Sequence, residues 1–298
     1  LQEQYDCYFF VADWHALSTN YADTSRIRTF VQEMLIDWLA GGIDPERSTI
    51  FIQSRIPEHA ILHLLLSMMT PVSWLERNPT YKEKQEEIKE KDLTTYGFLG
   101  YPVLQAADIL LYKPDFVPVG KDQLPHLELT RELARRFNDI YKTSVFPEPK
   151  EHLTKFPKVL GTDGRKMSKS YNNTINLSDT EPVVRQKLKT MVTDPARVRR
   201  TDPGNPDLCP VYEFHNIYSP QAVKDQVNTD CRSAAIGCID CKKLVADRII
   251  DQLAPIWDKR AKLTQEPSRV DEIVEFGSKR AAAVASATLR EVNEAMKI

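Results

Sequence analysis

Apolar positions along the chain fall into short unbroken runs separated by longer periodic ones. Cys7-Tyr8-Phe9-Phe10-Val11-Ala12 is aromatic and β-branched, which predicts a fully buried strand. From there apolar residues recur at Ile27, Phe30, Val31, Met34, Leu35, Trp38 and Leu39, the spacing of one helical face. Asp23-Thr24-Ser25 offers N-cap oxygens ahead of this helix, and Gly41-Gly42 ends it. Thr49-Ile50-Phe51-Ile52-Gln53 predicts a second buried strand, and Pro57 opens a second helix where its missing N–H is harmless. A polar helix at Tyr81–Lys91, an apolar helix at Tyr101–Tyr112, a strand at Phe116–Gly120 and a helix at Leu124–Phe137 follow. Strand and helix alternating in this way imply crossover units on a parallel sheet. After Asn172 strand-like runs vanish and helical patterns dominate, including a long one at Val270–Lys297. The expected organisation is an α/β nucleotide-type domain over 1–175 and a helical domain over 176–298, with the last helix able to pack back on the first.

Composition narrows the class. The 298 residues, 42% hydrophobic and 28% charged, are those of an ordinary globular chain long enough for two domains. The longest apolar clusters, Leu62–Met69 and Val103–Leu111, are broken by polar residues and fall short of the ~20 that span a membrane. Forty basic against 42 acidic residues give a net charge of −2, so no overall basic field announces a nucleic acid. Five cysteines, an odd number without a secretory leader, argue against a disulfide framework, and a cytoplasmic enzyme is expected. The chain begins Leu1-Gln2-Glu3-Gln4 and is already in an apolar strand by Val11, which reads as a start in mid-domain.

The most informative segment is Gly161-Thr162-Asp163-Gly164-Arg165-Lys166-Met167-Ser168-Lys169-Ser170. Its glycines let the backbone turn and approach a ligand, and its cations and hydroxyls suit polyphosphate oxygens. Three cations alone would equally make a solvated basic loop. The string Lys-Met-Ser-Lys-Ser resembles the second signature of class I aminoacyl-tRNA synthetases, which implies a loop that holds ATP phosphates. Residues 155–200 carry eleven Lys/Arg against four Asp/Glu. Arg197, Arg199 and Arg200 extend this basic stretch, as an RNA contact or as an exposed charged face.

Upstream, four segments occur in one order: Val11-Ala12-Asp13-Trp14-His15-Ala16-Leu17; Leu75-Glu76-Arg77 with Tyr81-Lys82-Glu83-Lys84; Tyr101-Pro102-Val103-Leu104-Gln105-Ala106-Ala107-Asp108-Ile109-Leu110; and Val117-Pro118-Val119-Gly120-Lys121-Asp122-Gln123. Together they resemble the bacterial tryptophanyl-tRNA synthetases along essentially the whole chain. The resemblance implies a Rossmann-like parallel sheet, with its first strand upstream of Leu1, and a helical anticodon-binding domain. It implies tryptophan–tRNA ligation in a homodimer, with ATP and Mg2+, and tyrosyl-tRNA synthetase as the nearest competitor. Indole offers one N–H that can only donate, so a selective pocket needs apolar walls and one fixed acceptor. By resemblance Asp108 is that acceptor, Val117 and Val119 line the ring, Tyr101 and Gln123 hold the α-amino group, and His15 lies close to the amino acid. Gln105 stands at the pocket edge where many relatives carry Met. Gly120, Asp122, Lys166, Met167, Ser168 and Lys169 would bind ATP, with Lys84, Lys166 and Lys169 stabilising phosphate charge. A salt-bridged Asp108 and a satisfied core His15 are the structural alternatives. The family's first signature lies upstream of the residue matching Leu1; a protein of this form is expected to be poorly active and aggregation-prone. A non-catalytic RNA-binding protein is the alternative class.

Cys209, Cys231, Cys238 and Cys241 stand as C-x21-C-x6-C-x2-C. Four thiolates can complete a zinc site or hold an iron–sulfur cluster. A subset of tryptophanyl-tRNA synthetases has nearly this spacing, with one more residue in the long gap, and carries [4Fe-4S]. That resemblance ranks the cluster first and zinc second, with a role in orienting the anticodon-binding surface.

Overall fold

The structure, a computed structural model, describes residues 1–78, 81, 92–153 and 159–298, without the side chain of Ser170. Two compact units result, Leu1–Pro157 with Leu263–Ile298, and Lys158–Lys262. The division therefore runs at 157 and 262, where the sequence pattern suggested a single boundary near 175.

In the first unit the order is β1 (Cys7–Val11), α1 (Asp13–Asn20), α2 (Ile27–Ala40), β2 (Ser48–Ile52), α3 (Glu58–Ser67), α4 (Val72–Glu76), α5 (Tyr96–Leu110), β3 (Phe116–Val119), α6 (Leu124–Tyr141) and β4 (Lys150–Leu153). The second unit holds α7 (Glu181–Thr190), α8 (Pro210–Tyr218), α9 (Gln221–Arg232) and most of α10 (Cys238–Gln265); α11 (Pro267–Met296) belongs to the first. Both described sheets are parallel pairs: β1 on β2, with Phe9 opposite Ile50, and β3 on β4, with Val117 opposite Glu151. Parallel pairing follows from the helical crossovers between the strands. The sequence pattern missed β4, because Lys-Glu-His-Leu carries no apolar run. It also missed α1, at whose start the Asp13 carboxylate accepts from the distant Ser54 N–H.

Several boundaries moved for identifiable reasons. Cys7 to Phe10 are half-buried and only Val11 is buried, because β1 has a neighbour on one side only among the described residues. In α2 the inward residues are Leu35, Ile36 and Ala40, while Phe30 and Met34 face outward, so the packed stripe is rotated from the expected one. Asp23 does not cap α2; its carboxylate closes a local turn on Ser25 instead. Helix α5 starts five residues before Tyr101, capped by the Thr95 hydroxyl on the Phe98 N–H. Pro102 imitates a helix start in the sequence but here lies inside the helix. Helix α6 runs past Phe137 until Lys142 adopts a left-handed conformation, φ 53°. The expected helix at Tyr81–Lys91 lies outside the described residues apart from Tyr81.

The core of the first unit gathers Phe51, Leu62, Leu66, Val103, Leu110, Leu133, Phe137, Ala281 and Ala285. The second unit packs Val184, Leu188, Val211, Phe214, Val245 and Ile249 around its own core. No helix among the described residues is long and apolar enough to cross a membrane. Helix α11 lies directly on the backbone of β2: a Cβ on Gly277 would come within 1.9 Å of the Ile50 carbonyl oxygen. Ordinary helix propensity would make Gly277→Ala stabilising by about 1 kcal/mol. Backbone has nowhere to move, so overpacking wins, and we expect a net loss of about 2 kcal/mol or more in urea unfolding. Gly97→Ala, where nothing lies within 4 Å, is the control and should be neutral or better.

Candidate active site

The inward face of α5 carries a charge where apolar residues would be expected. Ala106, Ala107 and Leu110 are fully buried, and Asp108 among them is 3% exposed. An unpaired carboxylate there would be costly. Three donors reach it. His15 Nε2 lies 2.8 Å from Oδ2, while Gln53 Nε2, at 2.7 Å, and His59 Nδ1, at 2.6 Å, both meet Oδ1. Burial alone would push the Asp108 pKa up, but the hydrogen bonds from His15 and His59 hold it below its ordinary value. Behind His59, Nε2 lies 2.8 Å from the Tyr112 hydroxyl, whose own pKa burial and then Asp108 push upward. Sequence reasoning found Asp108 and His15 and missed Gln53, His59 and Tyr112. Their only signal is polarity inside or next to predicted apolar elements.

A cavity of about 310 Å3 opens beside this network, lined by Trp14, His15, Leu17, His63, Tyr101 and Leu104 among others. Its size is that of a small-ligand pocket. Tyr101 and His15 form one wall, their rings edge to face at 6.3 Å. The Tyr101 hydroxyl meets His126 Nε2 at 2.8 Å, and Asn78 Nδ2 donates to His126 Nδ1 at 3.0 Å. Burial raises the Tyr101 pKa to about 12, so this hydroxyl stays neutral. The structure thus brings together His15, Tyr101 and Asp108. Gln105 shares the helix face of Tyr101 and Asp108; the cavity lining includes neither it nor Asp108, Val117, Val119 or Gln123. Val117 and Val119 are the half-buried residues of β3, alternating with exposed Phe116 and Pro118. Gln123 Nε2 donates to the exposed Asp122 at 3.1 Å. Asp122 Oδ1 in turn lies where a Cβ on Gly120 would be, 2.7 Å away.

In the second unit the glycine-hinged segment is a pinned hairpin. Leu160 bridges Lys166 antiparallel, the Gly161 N–H donates to the Arg165 carbonyl at 2.7 Å, and Gly164 takes φ 79°. Buried Asn173 fills its centre, donating to Asp163 Oδ1 at 2.7 Å and the Lys166 carbonyl at 3.1 Å, and accepting from the Ser168 N–H at 2.8 Å. Any Cβ on Gly161 would strike Asn173 within 2.2 Å. Arg165 is committed to the protein, bonded to Asp163 and stacked 4.2 Å from the Tyr171 ring. Lys166 and Lys169 are exposed, and Met167 packs on the unit's core. Lys84, expected on the phosphate side, lies outside the described residues.

Comparison with known proteins bears on this arrangement. The family of class I tRNA synthetases for W and Y matches residues 1–254. A tryptophan–tRNA ligase of Thermotoga maritima is 52% identical over 298 residues, covering 100% of this chain and 90% of the relative. One of Ralstonia nicotianae is 45% identical over 365 residues, covering 99% of this chain and 91% of the relative. The crystal structure of tryptophanyl-tRNA synthetase from Campylobacter jejuni, complexed with ADP and tryptophan, superposes with a TM-score of 0.88 at 30% identity. It covers 100% of this chain and 91% of its own. The chain belongs to the tryptophanyl-tRNA synthetases. Its mixed α/β fold with parallel sheets and a helical C-terminal region is that of class I.

In this synthetase the four expected metal-ligating cysteines are all half-buried and none is in a disulfide. Burial raises the Cys241 thiol to about 12, and Cys209, Cys231 and Cys238 add to the shift, so the four sulfurs feel one another. Among the described residues, however, no three His, Cys, Asp or Glu side chains close around a single metal position. Arg197, expected to extend an exposed basic stretch, is buried instead. Its Nη2 donates to the Arg200 carbonyl at 3.0 Å and the Ile236 carbonyl at 2.6 Å, and its Nη1 lies 3.7 Å from Cys231 Sγ. Its Nε has no partner, and no carboxylate pairs with it among the described residues.

The hairpin yields a pH prediction. Hydrogen bonds from Asn173 and then Arg165 lower the Asp163 carboxyl from 3.8 to about 2. A depressed folded value means that its contribution is complete above 3.8 and lost as pH falls towards 2. The protection of the Ser168 amide from exchange, relative to the free chain at the same pH, should therefore be high and level above about pH 4 and fall below about pH 3. Asn173→Ala should remove that protection throughout.

Proposed function

We propose that Asp108 is the group by which this tryptophan–tRNA ligase selects its amino acid. The observation that carries the reading is a buried, ionised carboxylate beside a small, mostly apolar cavity, with His15 and Tyr101 on the wall. A donor-only indole N–H suits such an acceptor, and a phenol with its hydroxyl placed elsewhere does not. Val117, Val119 and Gln105 are assigned to the ring side and Gln123 with Tyr101 to the α-amino group. Two steps follow. The tryptophan carboxylate attacks the α-phosphorus of ATP, breaking the bond to pyrophosphate and forming tryptophanyl-adenylate. A terminal ribose hydroxyl of tRNA(Trp) then attacks the acyl carbon, releasing AMP. No side chain becomes acylated; positioning and charge stabilisation carry the rate. Lys166 and Lys169, exposed on a hairpin held rigid by Asn173, neutralise phosphate charge, with Ser168, Met167, Gly120, Asp122 and Lys84 completing the ATP side. Mg2+ supplies further charge neutralisation on the phosphates. The helical region reads the anticodon, and the protein acts as a cytoplasmic homodimer.

For Cys209, Cys231, Cys238 and Cys241 we propose a [4Fe-4S] cluster. Arg197 supports it: a buried guanidinium without a carboxylate calls for an anion, and a cluster with four thiolates is one.

Tryptophan-dependent ATP–pyrophosphate exchange, with tyrosine as control, tests the activity; exchange with tyrosine alone would overturn it. Asp108→Asn, which keeps the shape and removes the charge, should lower kcat/KM for tryptophan by about 100-fold. Protein purified without oxygen should contain about four iron and four sulfide per chain. Stoichiometric zinc without iron would reject the cluster.

A further inference from the structure

The Asp108 carboxylate has four acceptor positions, two on each oxygen. Gln53 and His59 fill both positions on Oδ1, and His15 takes one on Oδ2. The two Oδ1 donors are fully buried, whereas His15 is half-buried and lines the cavity. One acceptor position therefore remains, and it belongs to the oxygen on the side of His15.

Each Oδ1 donor is itself fixed from behind. Gln53 Oε1 accepts from the Trp14 N–H at 3.2 Å, which assigns its NH2 to Asp108 and forbids the flipped amide. His59 meets Asp108 through Nδ1 and the Tyr112 hydroxyl through Nε2. A neutral ring with the proton on Nδ1 donates to Asp108 and accepts from Tyr112, so every polar atom in the line is satisfied. Turning the carboxylate would break two buried bonds at once, while exchanging the single His15 bond would not.

We propose that Gln53 and His59 are positioning residues that lock Asp108, so that Oδ2 alone is offered to the ring N–H of the amino acid, and that this lock sets the preference for a ring carrying an N–H. The inference rests on the assignment of Asp108 as acceptor.

The test uses the full chain and two amino acids, tryptophan and its benzothienyl analogue, in which sulfur replaces the ring N–H. ATP–pyrophosphate exchange gives KM and kcat for each with wild type, Gln53→Met, His59→Leu and His59→Asn. Asparagine keeps a donor at the Nδ1 position. The lock requires that Gln53→Met and His59→Leu reduce the tryptophan-to-analogue ratio of kcat/KM by about tenfold or more. The loss should fall on KM for tryptophan, with KM for ATP unchanged within about twofold, and His59→Asn should restore most of the ratio. Tyr112→Phe, a milder change that leaves the core volume intact, should shift the ratio the same way and covers the case in which His59→Leu does not fold. Equal losses for both amino acids would mark a merely structural network and overturn the inference, as would an unchanged ratio in folded variants. A wild-type enzyme indifferent to the N–H would instead overturn the Asp108 assignment, and this inference with it.

Discussion

A carboxylate can sit on the buried face of a helix only if the rest of the chain supplies donors for it, and Asp108 obtains them from three separate segments. Gln53 comes from the turn after β2, His59 from α3 and His15 from α1. Each of these elements is thereby registered against α5 by a polar contact that tolerates little displacement, because an unmade hydrogen bond to a buried charge is expensive. The neighbouring cavity inherits this order. Its wall residues His15 and Tyr101 are held by Asp108 and His126 respectively, so the pocket is shaped by a buried aspartate and a buried histidine one layer behind it.

The hairpin of the second unit solves a different problem. Here a cationic segment is carried on a fixed backbone. Asn173 supplies the fixing: one buried amide satisfies Asp163, Lys166 and Ser168 at once. Gly161 is required because Asn173 occupies the space of a Cβ. Of the three cations in the segment, Arg165 serves the hairpin itself, paired with Asp163 and stacked on Tyr171, while Lys166 and Lys169 are exposed.

Charge in the second unit is also divided between surface and interior. Arg199 and Arg200 are exposed, whereas Arg197 turns inward to two backbone carbonyls and a cysteine sulfur. The guanidinium is more weakly hydrated than an ammonium and offers donors in a fixed fork, so arginine is the cation that can occupy such a place. A basic run in the sequence can thus contain residues of opposite purpose.

Resemblance of the ordered motifs singled out Asp108 and His15; local pattern by itself determined the alternation of strands and helices, their parallel sheet, the long C-terminal helix, and the glycine-hinged segment as a place where chemistry departs from packing. These are properties of a few neighbouring residues, and spacing records them. Tertiary structure decided what spacing cannot hold. It made a strand of Lys150–Leu153 by giving it β3 as a partner, kept Pro102 inside a helix, and rotated the buried stripe of α2 away from Phe30 and Met34. It placed Gln53, His59 and Tyr112 behind Asp108, and Asn173 inside the hairpin. Gln53 and His59 lie 55 and 49 positions from Asp108 in the chain, so their role exists only once folding has brought their donors to its oxygens.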